Sequence, residues 1–194
     1  MKSIITGTTV IISILALCGC QQTIKAPLLS RVVVAPKPKL AKHKNRNAEM
    51  PLTKRLLQAE ARASESARKV LVVGRNMTLV NKEVVRGGCW NYADTVYQRA
   101  GFSRQFQQRQ IIFKGSKRKG PYADIKQIRP GDFLYYINHS YGNIEHSAIF
   151  IDWEDRNKKM ALMLSYGGEN RRSPARYKVY DLSHVYHITR PKEI

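Results

Sequence analysis

Along the chain, apolar positions change period several times, and each change marks an element. Ile4 to Leu17 is an uncharged apolar run. From residue 21 to 50 no period is long enough to bury a face. From Pro51 to about Val70, Leu56, Leu57, Ala59, Ala63 and Ala67 form an apolar side opposite Arg55, Glu60, Arg62, Glu65 and Arg68, which predicts one helix, its pattern ended by Gly74. Thr78 to Val85 is a short connection. Trp90, Ala93, Val96, Tyr97 and Ala100 then recur at spacings of three and four, predicting a second helix that opens at Cys89 and is capped by Gly101.

The second half switches to strand patterning. Ser103 to Lys119 reads as a polar, basic loop interrupted by Ile111-Ile112-Phe113. Arg129-Pro130-Gly131-Asp132 is a turn signal before an aromatic and β-branched strand, Phe133 to Ile137. Asn138 to Asn143 carries hairpin-loop residues. Ile144 to Trp153 is a second strand, with Ala148, Phe150 and Asp152 on the face of His146, and Met160 to Tyr166 is a third. Tyr177 to Val179 and Val185 to Thr189 read as a last pair of strands. Helices followed by antiparallel strands predict an α+β fold.

Composition changes the picture in two ways. The formal net charge is +20 over 194 residues, with a pI near 10.2, so partners are expected to be anionic. The chain length fits one domain plus a tail. Of three cysteines, two fall in the N-terminal segment, leaving Cys89 alone in the folded part and no disulfide framework.

The first apolar run is too short to span a bilayer but has the length of a signal-peptide core. Leu17-Cys18-Gly19-Cys20 looks like a bacterial lipobox, with Cys18 where a smaller residue is usual. That resemblance implies residues 1–19 as signal peptide and Cys20 as the lipidated first residue of the mature chain. The protein would then be held on the outer membrane, facing the periplasm. Residues 20–50 read as a lipidated cysteine and a disordered basic tether, whose lysines would lie against anionic surfaces.

Cys89 carries the candidate chemistry. A thiol at a helix N-terminus sits at the positive end of the macrodipole, which favours thiolate. Gly87 and Gly88 leave its approach uncrowded. The alternative is a small buried hydrophobe. His146 opens an apolar strand, where a neutral imidazole can take a thiol proton; it reads equally as a structural histidine. His139 reads as a turn residue, and His184 and His187 lack acidic or cysteine partners at metal-ligand spacing, so no metal or other cofactor is expected.

Taken together, GGCWNYADTVYQRAGF, RPGDFLYY and EHSAIFIDW resemble the papain-like NlpC-type cell-wall peptidases and their CHAP relatives. The resemblance covers about residues 87–168. It implies a papain-like α+β domain over residues 51–194, with Cys89 as nucleophile, Arg129 to Asp132 as strand entry and His146 as general base. The resemblance implies a residue on the next strand, normally His, Asn, Gln or Glu, that orients the imidazole; counting across the Glu154 to Lys159 turn, Ser165 falls nearest that position, with Glu169 a few residues late. The string Gly88-Cys89-Trp90-Asn91 departs from the Asp-Cys-Ser-Gly of NlpC-type enzymes and the Gln-Cys-Thr-Trp of CHAP enzymes. Arg171, Arg172, Arg176 and Tyr166 fall on the rim and are expected to bind substrate, the arginines gripping carboxylates. The implied activity is thiol-dependent hydrolysis of amide bonds in peptidoglycan stem peptides. The rivals are a non-catalytic binding lipoprotein for cell-wall polymer or anionic surfaces, and a lipid-directed acyltransferase. Charge alone would also suit nucleic acid, but no nucleic-acid motif accompanies it.

Overall fold

The computed structural model describes residues 50–194; Cys18, Cys20, the apolar run and the tether lie outside the described residues. Two helices stand where the pattern predicts one: α1 (Leu52–Arg62) and α2 (Glu65–Arg75). The break falls at Ala63, whose backbone turns extended, because Ser64 caps α2 by accepting from the Ala67 amide at 3.4 Å. Gly74 does not end the helix. It lies inside α2, where an added Cβ would come within 2.6 Å of Leu164 Cδ2, and the chain continues through a π-helical turn, Asn76–Val80. Its smallness serves close packing of helix on sheet.

α3 (Cys89–Arg99) follows, with Ala93, Val96 and Tyr97 buried along the predicted stripe and Trp90 and Ala100 packed at its margin. The expected loop beyond it contains an edge strand, β1 (Arg109–Lys114). Then come β2 (Phe133–Asn138), β3 (Ile144–Asp155), β4 (Met160–Ser165), β5 (Arg176–Asp181) and β6 (Val185–Pro191). They form one antiparallel sheet in the order β1-β6-β2-β3-β4-β5, so the architecture is α+β. The last two strands do not pair with each other as the sequence predicts. β5 closes the far edge against β4, whereas β6 crosses the sheet to lie between β1 and β2.

The helices cover one face. Leu56, Val70, Tyr92 and Val96 meet Phe133, Ile149 and Leu164 there. Leu134, Ala148, Phe150, Met163 and Ile188 form a second core on the opposite face. His146 shares the face of Ala148 and Phe150, but Asp152 does not. A bulge between Phe150 and Asp152 reverses the alternation, and Asp152 pairs with Arg62 of α1 at 2.7 Å.

The Arg-Pro-Gly-Asp turn is fixed by charge and shape. Asp132 is fully buried and accepts from Arg190 Nε at 2.7 Å, from Arg190 Nη2 at 2.8 Å and from the Arg129 amide at 2.8 Å. The pair ties the start of β2 to the end of β6. Gly131 has φ +88°, and a Cβ there would stand 2.9 Å from that of Ala67, so α2 can rest directly on the turn. Tyr97 of α3 donates to the Gly131 carbonyl at 2.6 Å, which sets the height of α3 over the sheet.

Candidate active site

The loop that presents Cys89 is built by local chemistry. The Asn91 side chain accepts from the Gly88 amide at 2.9 Å and caps the first turn of α3. Gly87 has φ +96°, and a Cβ there would fall 2.4 Å from Asn91 Oδ1, so only glycine fits beneath the cap. Gly87 in turn accepts from the Glu169 amide at 2.9 Å, which docks the segment after β4 against the loop. Cys89 is thereby presented half-buried at the N-terminus of α3.

The sheet supplies the partners. His146 on β3 stands beside the sulfur, and the neighbouring Ser147 points the other way along the pleat and donates its hydroxyl to Cys89 Sγ at 3.4 Å. His146 Nε2 lies 2.9 Å from Ser165 Oγ on β4, and Ser165 Oγ lies 2.9 Å from Tyr180 Oη on β5. The Tyr136 ring meets the imidazole edge to face at 5.6 Å, and the Tyr180 ring tilts against it at the same distance. The imidazole is held on three sides. In the tautomer whose Nε2 donates to Ser165, Nδ1 is the nitrogen left with a lone pair.

The electrostatics follow this geometry. Burial pushes the Cys89 thiol up; the hydrogen bond and charge of His146, with the two contacts of Ser147, outweigh it and bring the thiol down to about 7. A free thiol titrates near 8.5, so at neutral pH Cys89 is about half thiolate, against roughly 3% for the free side chain. The amide of Cys89, first in α3, has no intrahelical acceptor.

A cleft of about 520 Å³ opens over Cys89, His146 and Ser165. Arg171, Arg176 and Lys178 line it with Tyr141 and Asn138. Arg172 is not among its walls; it takes a left-handed turn (φ 48°) just after the short helix Glu169–Arg171 and is exposed. Tyr166 reaches the wall, but its ring is 1% exposed, stacked on Tyr92 at 4.8 Å, with its hydroxyl on the Val85 carbonyl at 2.7 Å. That bond holds the chain leading to the Cys89 loop.

Of the two residues considered for orienting the imidazole, Ser165 is in contact and Glu169 is exposed. Ser147, Tyr180 and Lys178 were not singled out from the sequence. Strand alternation was a usable signal for Ser147: a residue beside His146 must face the helix side, where α3 lies. Nothing marked Tyr180, because its contact with Ser165 depends on the β4–β5 pairing. His139 ties the hairpin loop, with Nδ1 2.7 Å from Asn143 Oδ1 and Nε2 2.8 Å from His184 Nδ1. Among the described residues, no group of three His, Cys, Asp or Glu side chains is placed to hold a metal ion.

No family model matches the chain, and neither a curated protein nor a solved structure shows significant similarity to it.

Proposed function

We propose that the protein is a thiol hydrolase of amide bonds on a papain-like domain, with Cys89 as nucleophile and His146 as general base. The observation that carries this reading is the sulfur's setting. Cys89 is held near pH 7 against an imidazole whose far nitrogen is fixed by Ser165. A buried structural cysteine has no use for that arrangement, and burial alone would push its thiol up.

The reaction runs in two balanced steps. The thiolate attacks the carbonyl carbon, forming a C–S bond, and the Cys89 amide donates to the oxyanion. The C–N bond breaks as the His146 imidazolium gives its proton to the leaving amine. Water then attacks the thioester, His146 takes one of its protons, and the C–S bond breaks to release the acid and restore the thiolate. Ser165 is a neutral partner, so the imidazolium lacks the support that a carboxylate would give it.

The cleft bears on the substrate. Arg171, Arg176 and Lys178 favour a ligand carrying carboxylates, and the polar walls of Asn138 and Ser140 suit a peptide better than a fatty acyl chain. Lipidation at Cys20 would place the domain on the envelope, within reach of the sacculus, which makes peptidoglycan stem peptides the favoured substrate. The direct test incubates sacculi and isolated muropeptides with the full chain and with Cys89→Ala, and follows new free amines by mass spectrometry. Amine release by the wild-type chain alone is expected. Equal release, or none with either protein while both bind sacculi, would leave the cell-wall binding module as the better account.

A further inference from the structure

A second concavity of about 650 Å³ lies on the helix-side face of the sheet, where β1 and β6 run out from under α3. Its floor is aromatic: Phe133 and Tyr135 stack at 5.0 Å, and Tyr186 and His187 continue the surface. Two bulges build it. One in β1, between Ile111 and Phe113, turns Lys114 onto the face of Arg109 and Ile111, opposite His187. The other makes Tyr186 the extra residue between the pairs Tyr135–His187 and Tyr136–Val185, which aims its ring into the same trough.

The charge is set at the ends. Lys114 stands at the end nearest Cys89, and Lys192, just beyond the Arg109–Pro191 pair, stands at the other. Five strand steps separate those ends, about 16 Å at roughly 3.3 Å each. Arg104 forms the rim, its guanidinium 5.1 Å above the Trp90 ring. Among the described residues, Lys114, Lys192 and Arg104 take part in no ion pair. Arg109 differs, being spent on Asp94 at 2.6 Å. Among the described residues no acid lines the trough, and the nearby Glu193 is turned to the Ser64 hydroxyl at 2.6 Å.

We propose that this trough binds an extended peptide whose two carboxylates reach the lysines at its ends, about 16 Å apart, its middle residues lying on the aromatic floor. An acidic phosphodiester chain fits less well. It carries charge at every unit, whereas the centre of this trough is mainly aromatic and the cation there, Arg109, is paired with Asp94. The inference rests on the sheet and not on the reaction at Cys89, so it is tested in the Cys89→Ala chain, which cannot turn the peptide over.

The experiment is calorimetric titration of the full-length Cys89→Ala chain with acetyl-Glu-Ala-Ala-Ala-Glu-amide, whose two glutamates share one face of an extended strand and reach the lysines through flexible stems. Shortening the probe to acetyl-Glu-Ala-Glu-amide, with the same charge, is expected to weaken binding at least fivefold. Lys114→Glu and Lys192→Glu are each expected to weaken the long probe at least tenfold, and Lys126→Glu, an exposed site elsewhere, less than twofold. Equal loss at all three positions, indifference to probe length, or tighter binding of a thymidine tetranucleotide than of the long peptide would overturn the proposal.

Discussion

The Ser165 hydroxyl lies 2.9 Å from Nε2 of His146, a neutral group where a carboxylate would hold the imidazolium more strongly. Removing it leaves the ring without its far partner. Ser165→Ala is expected to lower the reactivity of Cys89 at pH 7 by about three- to tenfold, the worth of one net hydrogen bond. Tyr180→Phe, which touches Ser165 and not the nitrogen, should have a smaller effect in the same direction. Alkylation rates of the two variants, measured side by side, check the order.

Ser147 acts on the sulfur itself. Its hydroxyl donates to Cys89 Sγ at 3.4 Å and favours the charged form. Ser147→Ala should therefore move the pH midpoint of Cys89 reactivity upward, toward the free-thiol value, by up to about one unit. The plateau rate at high pH should be unchanged, since the imidazole remains in place. A midpoint that stays at about 7 would show that the Ser147 hydroxyl plays no part.

The cleft's positive rim can be read without knowing the substrate. Iodoacetate and iodoacetamide differ by one negative charge, so their rate ratio at Cys89 reports local potential. Replacing Arg171, Arg176 and Lys178 with alanine together should lower the iodoacetate-to-iodoacetamide ratio by about three- to tenfold, and added salt should shrink the difference. An unchanged ratio would mean that these side chains extend away from the sulfur.

The strand-entry turn makes a separate claim about stability. Asp132→Ala leaves Arg190 buried without its carboxylate and should cost about 3–5 kcal/mol in chemical denaturation. Gly131→Ala forces φ +88° on a residue with a Cβ and crowds Ala67 at 2.9 Å, for about 1–3 kcal/mol. Both losses should appear in the denaturation midpoint.

What could be read from the sequence was set by range. The α3 stripe and the placement of Cys89 at its start depend on neighbours three and four residues away, and both stand in the structure. So does the order of β2, β3 and β4, joined by short turns. The helix break at Ser64 was missed because the apolar spacing runs on across it, while the cap competes locally with the helix. The β1 edge strand was hidden among charged residues that an exposed edge tolerates. The crossing of β6 and its Arg190 partnership with Asp132 are decided 58 residues apart, beyond any periodicity. At the site, Ser165 was reached by counting along a strand, whereas Tyr180 needed the register of the next one.

The dyad itself is the central claim, and it can be tested with no substrate. In the full chain, iodoacetamide alkylation is followed against pH at the Cys89-containing peptide by mass spectrometry, which separates it from Cys18 and Cys20. The wild-type midpoint is expected at about 7, and His146→Ala should move it upward to about 8.5, because burial is then opposed only by the two contacts of Ser147. Coincident curves for the two proteins, or a Cys89 that does not react at any pH, would contradict the account.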